Sequence, residues 1–121
     1  VGLRLTPQSI IAAYEYLRTT APFNKWKLPH SDELAFEVIP HTDRYGHLHS
    51  FPMRSGRHQT IGISIESKTT ADLIETLAHE MIHLKQLMDQ GYRKRGPTHG
   101  PSFKTLAKQV CRYHGFNLVT F

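Results

Sequence analysis

Between Ala71 and Met88 the apolar residues return every three or four positions. On a helix turning about 100° per residue, Leu73, Leu77, Met81, Leu84 and Met88 form one stripe, and Asp72, Thr76, His79, His83 and Gln86 fall on the opposite side. Thr69 followed by Asp72 has the form of a capping box, and neither Gly nor Pro interrupts the run, so a helix is predicted from about 70 to 90. The same period recurs earlier. Thr6-Pro7 makes a helix start, and Ile10, Ala13, Tyr14 and Leu17 keep helical spacing to about Thr19. A last helix is predicted over 101–114, opened by Pro101, closed before Gly115 and packing Phe103, Leu106, Ala107 and Val110.

Elsewhere the period is two. Leu34, Phe36 and Val38 alternate, as do Tyr45, His47, His49 and Phe51, and then Ile61, Ile63 and Ile65. Three short strands in a largely antiparallel sheet fit these signals. Residues 20–33, with Pro22 and Pro29, read as a loop, and 116–121 as a short tail with marginal strand character. The order helix, sheet, helix, helix makes this an α+β chain. At 121 residues, 39% of them hydrophobic, residues 1–121 are expected to be a single domain, large enough for one core and too small for two.

The polar side of the third element carries chemistry. His79-Glu80-Met81-Ile82-His83 sets two imidazoles four residues apart on one helix face, where they can share one Zn²⁺, with a carboxylate between them able to handle a proton. This is the pattern of metal-dependent hydrolysis, with Glu80 as the expected base. A third ligand is needed. Residues 90–121 contain no Asp or Glu, which excludes a downstream glutamate. Asp89, six residues after His83, is a weak candidate because Gln86 continues the helix where a turn would be required. That leaves His99 and His114, with Cys111 behind them. His99 precedes Gly100-Pro101 at a helix start, where a side chain is well fixed, whereas His114 reads more simply as a helix-terminal histidine at the negative end of the dipole. His41, His47, His49 and His58 read as surface or strand histidines.

Taken together, His79-Glu80-Met81-Ile82-His83, an intervening loop of fifteen residues, and His99-Gly100-Pro101-Ser102-Phe103-Lys104 resemble the SprT-like family of zinc metalloproteases, which includes the DNA–protein crosslink protease Spartan. The order of elements upstream resembles that family as well. The resemblance implies a minimal zincin-like fold, one zinc ion held by His79, His83 and His99, and Glu80 as catalytic base. Many members carry a Cys-rich zinc ribbon after the catalytic core; with one cysteine, this sequence resembles the core without the ribbon.

Charge adds a second line of argument. Arg93, Lys94, Arg95, Lys104, Lys108 and Arg112 give residues 90–121 a charge of +6, against −1 for residues 1–89. Arg93-Lys94-Arg95 lies in the loop between the second and third candidate ligands, with Tyr92 available for stacking, a composition suited either to a solvated loop or to nucleic acid. The resemblance favours DNA, and with it action on DNA-associated or DNA-crosslinked protein. The alternative is a catalytically silent zinc-containing DNA-binding or adaptor module, with a non-peptidase zinc hydrolase third; Glu80 argues for catalysis, since a purely structural site has no use for a base there. An edge strand at 58–65 beside the helix is expected to hold an extended peptide, and Tyr45, His47, His58 and Tyr92 are the candidates for a second oxyanion donor. No secretory segment or membrane-spanning run is present, and a single cysteine forms no internal disulfide, so a cytoplasmic setting with nuclear or nucleoid association is expected. Val1 in place of an initiator Met reads as a trimmed or excised piece.

Overall fold

The computed structural model describes residues 4–40, 45–53, 56–67, 69–90 and 99–121, with the backbone alone at 51–53 and 56–57. Helix α1 spans Pro7–Arg18. Thr6 caps it, its side chain accepting from the Ser9 amide while Ser9 accepts from the Thr6 amide, and Pro7 sits where no amide donor is required. Its apolar face, Ile10, Ala13, Tyr14 and Leu17, is buried as the spacing predicts. Two short 3-10 turns follow, Phe23–Lys25 and Ser31–Glu33. The segment expected to be plain loop also feeds the core, because Phe23, Trp26 and Leu28 are buried.

Three strands come next: β1 (Ala35–Ile39), β2 (Gly46–Met53) and β3 (Gly56–Ser64). Their order in space is β1-β3-β2, with β1 parallel and β2 antiparallel to β3. The sheet is therefore mixed rather than largely antiparallel, and β3 lies at its centre rather than at its edge. The physical reason lies in β3 itself. Ile61 and Ile63 are completely buried, and a strand paired on both sides satisfies its backbone groups while both residues enter the core. Strand alternation shows which face is buried but carries no information about neighbours or direction.

Helix α2 (Thr70–Asp89) lies against the sheet and α1, and α3 (Pro101–His114) packs on α2. Thr69 caps α2 by accepting from the Asp72 amide. Leu73, Leu77, Met81 and Leu84 are buried and Met88 partly so, which matches the predicted stripe. In α3, Phe103, Ala107 and Val110 are buried and Leu106 packs at the margin. The tail is not a strand: Leu118–Thr120 form a turn in which the Thr120 amide donates to the Asn117 carbonyl. No helix among the described residues is long and apolar enough to cross a membrane.

Candidate metal centre

Two turns of α2 and the start of α3 build the site. His79 and His83 project from one face of α2, and His99 stands two residues before the first turn of α3, so that the ligand atoms of the three lie within 4.8 Å of one another. Nε2 of His99 is 3.0 Å from Nε2 of His79 and 3.1 Å from Nε2 of His83. A tetrahedral zinc bound at its usual Zn–N length separates ligand nitrogens by about 3.3 Å, close to what is found. Phe103, one turn into α3, lies against all three rings, with centroid distances of 4.8, 5.0 and 4.8 Å to His79, His83 and His99.

The protonation pattern points the same way. Gln86, itself buried, donates from its amide nitrogen to Ser102 Oγ at 2.8 Å, which leaves its Oε1 facing Nδ1 of His83 at 2.8 Å. Nδ1 must then donate, and in the neutral ring Nε2 is an unprotonated lone pair aimed at the cluster. A single proton on His99 Nε2 can satisfy only one of the two facing nitrogens, so three such atoms turned to a common point suit a cation. Burial, and secondarily the neighbouring His83 and His99, pushes the His79 imidazole down to about 4. His83 is also held below its ordinary value, first by burial, with Gln86 opposing. Neutral rings are the form that binds metal.

Glu80, on the flank of α2 between the apolar stripe and the histidine face, lines a cleft of about 530 Å³ that it shares with His79, Tyr45 and Gly46. It is buried, with only 6% of its surface exposed. Strand β2 starts directly against it, and only a glycine permits that approach: a Cβ on Gly46 would lie 2.9 Å from Thr76 Cγ2 and 3.3 Å from Glu80 Cγ. The residues present thus fit zinc, with three nitrogen donors, a fixed tautomer and a carboxylate beside them.

The other candidates fall elsewhere. Asp89 is exposed and paired with Lys85 at 2.9 Å. His114 Nε2 is 3.1 Å from Thr20 Oγ1 at the far end of α3, and Cys111 is buried on that helix. Of the oxyanion candidates, Tyr45 lines the cleft and is well exposed, while His47 is turned to Glu37 on β1 and His58 sits on the central strand. Tyr92, His41 and the basic run Arg93, Lys94 and Arg95 lie outside the described residues. Sequence reasoning places Gln86 on the histidine face without giving it a task, and does not single out Ser102. The signal for Gln86 is its polar side chain three positions after His83 on that face; no local pattern announces Ser102 as its partner.

No curated protein matches the chain. A family model does, the SprT-like family over residues 15–120, a span that includes the three histidines, Glu80, Gln86 and Ser102. The chain belongs to the SprT-like family, a family of metalloprotease-like domains.

Proposed function

We propose that this chain is a zinc-dependent endopeptidase whose metal is held by His79, His83 and His99 and whose base is Glu80. The observation that carries the reading is the convergence of three Nε2 atoms beside a buried carboxylate in an open cleft. Zinc, when bound, supplies Lewis acidity, lowering the pKa of water toward ~7 and polarising a carbonyl. Glu80 takes the proton of the attacking water and returns it to the leaving amine. Its burial in the wall between α2 and the start of β2 keeps the carboxylate in one place for both transfers. Gln86 and Ser102 hold His83 in the tautomer that leaves Nε2 free to bind. With β3 at the centre of the sheet, the peptide-holding edge is assigned to β2, which begins at the cleft.

The test pairs metal analysis with a cleavage assay. One zinc per chain is expected. Glu80→Gln should keep both metal and fold while lowering hydrolysis by roughly 10²–10⁴-fold, the usual weight of a general base. Undiminished cleavage by that purified variant would sink the mechanism, and a metal-loaded parent that cleaves nothing would favour the silent adaptor.

A DNA-associated protein substrate is the finer part of the proposal. It is supported by the acid-free, basic composition of 90–121, of which Lys104, Lys108 and Arg112 are exposed at four-residue spacing on α3. Replacing Arg93, Lys94 and Arg95 with Ser should lower the log–log salt slope of DNA binding by roughly one unit for each phosphate that is no longer neutralised. Identical slopes for parent and variant would remove Arg93, Lys94 and Arg95 as DNA-binding residues.

A further inference from the structure

Two chambers border His79. The first is the cleft of about 530 Å³, and besides Glu80 its charged lining residues are Asp72 and Glu75. The second, of about 380 Å³, lies between α3 and the tail; its charged lining residues are Lys104 and Lys108, over an apolar floor that includes Phe103, Ala107 and Leu118. His79 and Phe121 border both. Each volume falls within the range of about 300–1,000 Å³ usual for ligand sites.

Helix geometry produces the segregation. Asp72, Glu75 and Thr76 stand one to two turns before His79 on the same face of α2, so the acids continue the wall that carries the candidate ligand. Lys104 and Lys108 are one turn apart on α3, beside Phe103 and Ala107, which turn inward. Among the described residues, neither acid nor either lysine has an ion-pair partner, and neither chamber is lined by a side-chain charge of the opposite sign. Low-dielectric walls of a single sign focus their field into the cleft.

We propose that the cleft is charge-polarised about the metal centre and selects an extended polypeptide with basic side chains on one side of the scissile bond and acidic ones, with apolar stems or neighbours, on the other. This rests on the endopeptidase reading. Such a polarity acts on substrate register: a peptide in the wrong charge order meets like charge in both chambers, which repels it as strongly as the right order attracts it.

The experiment uses the zinc-loaded full chain and three quenched-fluorescent peptides with identical apolar residues about the scissile bond. One is neutral, one has Lys-Lys before and Glu-Glu after, and one has the inverse order. One charged order should be cut about tenfold faster than the other at low salt, with the ratio approaching one near 1 M salt, as expected for a few partly exposed pairs. Asp72→Lys with Glu75→Lys should shrink the ratio, as should Lys104→Glu with Lys108→Glu, and all four together should invert it. Neutral Asn and Gln replacements at the same positions read the same ratio if a charge-reversed chain fails to fold. Equal rates for the two orders overturn the proposal, as does a ratio that no variant moves. So does loss of DNA binding by the lysine variant with its peptide ratio intact, which would give that wall to nucleic acid. Cleavage of the neutral peptide without order preference leaves the peptidase reading standing; cleavage of none of the three removes both.

Discussion

Two groups of histidines occur in the described residues, and they are built differently. In the first, His79, His83 and His99 turn their Nε2 atoms to one point while their rings stand at steep angles, 74° between His79 and His83 and 70° between His83 and His99. In the second, His47 and His49, two positions apart on β2, stack nearly flat with centroids 4.1 Å apart and planes 14° from parallel. Nε2 of His47 reaches across the central strand to Glu37 Oε1 at 3.0 Å. The residue type and the closeness are the same; what differs is where the lone pairs point. Alternation on a strand sets ring against ring, whereas a four-residue step on a helix aims two rings at one place and leaves a third direction for a ligand from another segment. Histidine density therefore says little about metal binding, and the direction of the ring nitrogens says a great deal.

The strongest way to break this distinction is to remove one ligand from each group. His99→Ala should lose bound zinc on dialysis, whereas His47→Ala should retain one ion per chain, as should Asp89→Ala and His114→Ala. Metal content by elemental analysis decides it. Zinc absent from His47→Ala, or kept by His99→Ala, would erase the difference between the two groups.

The next effect tests whether orientation, and not mere presence, is what the first group has. Gln86 meets His83 at the nitrogen turned away from the cluster, so Gln86→Leu should leave three imidazoles in place and still weaken zinc by about 10–100-fold, the usual cost of removing the outer partner of a metal-binding histidine. Ser102→Ala, which removes the Oγ acceptor of the Gln86 amide, should give a smaller loss in the same direction. A competition titration with a chelator of known affinity reads both.

How much of this is legible in the sequence follows the same divide. His79, Glu80 and His83 are a local pattern on one helix, and the caps Thr6 and Thr69, with Pro7 and Pro101 at the first helical positions, are local too; the sequence states these within a few residues. His99 can be reached because the segment after 90 offers so few other donors. The parallel pairing of β1 with β3 and the central place of β3 depend on pairing between distant segments, and alternation reads the same in either direction. The Gln86–Ser102 bond requires knowing how α3 crosses α2. Phe23, Trp26 and Leu28 enter the core from a segment without period, so no pattern could announce them.

The second group can be broken at its centre. Gly62 lies between Glu37 and His47 in the register of the sheet, and a Cβ there would collide with the His47 ring. Gly62→Ala should cost roughly 1–3 kcal/mol of stability through overpacking. His47→Ala in the same chain should recover most of that loss, because the collision is with a single side chain. Denaturant melts of the two single variants and the double variant make the cycle. Zinc affinity should be unchanged throughout, which again separates the two groups.

The smallest expected effect concerns protons. In metal-free protein, folded His79 keeps its neutral form down to about 4, while the unfolded imidazole takes up its proton near 6.5. Between those values the unfolded chain binds more protons, so stability rises with pH across the window and falls as the solution is acidified through it. Burial of His83 acts in the same direction. Glu15, lowered to about 2 chiefly by its bond with Arg18, contributes in a separate window: its share is present above about 4.5 and is lost as pH falls toward 2. Urea melts of chelator-treated protein at pH 7 and pH 4.5 should therefore show a lower midpoint at pH 4.5, and His79→Asn should reduce the difference. Glu15→Gln should leave most of that difference in place and flatten the profile only below pH 4.5. A His79→Asn chain whose midpoint drops between pH 7 and 4.5 as far as the parent's would mean that His79 does not carry the pH dependence that its burial assigns to it.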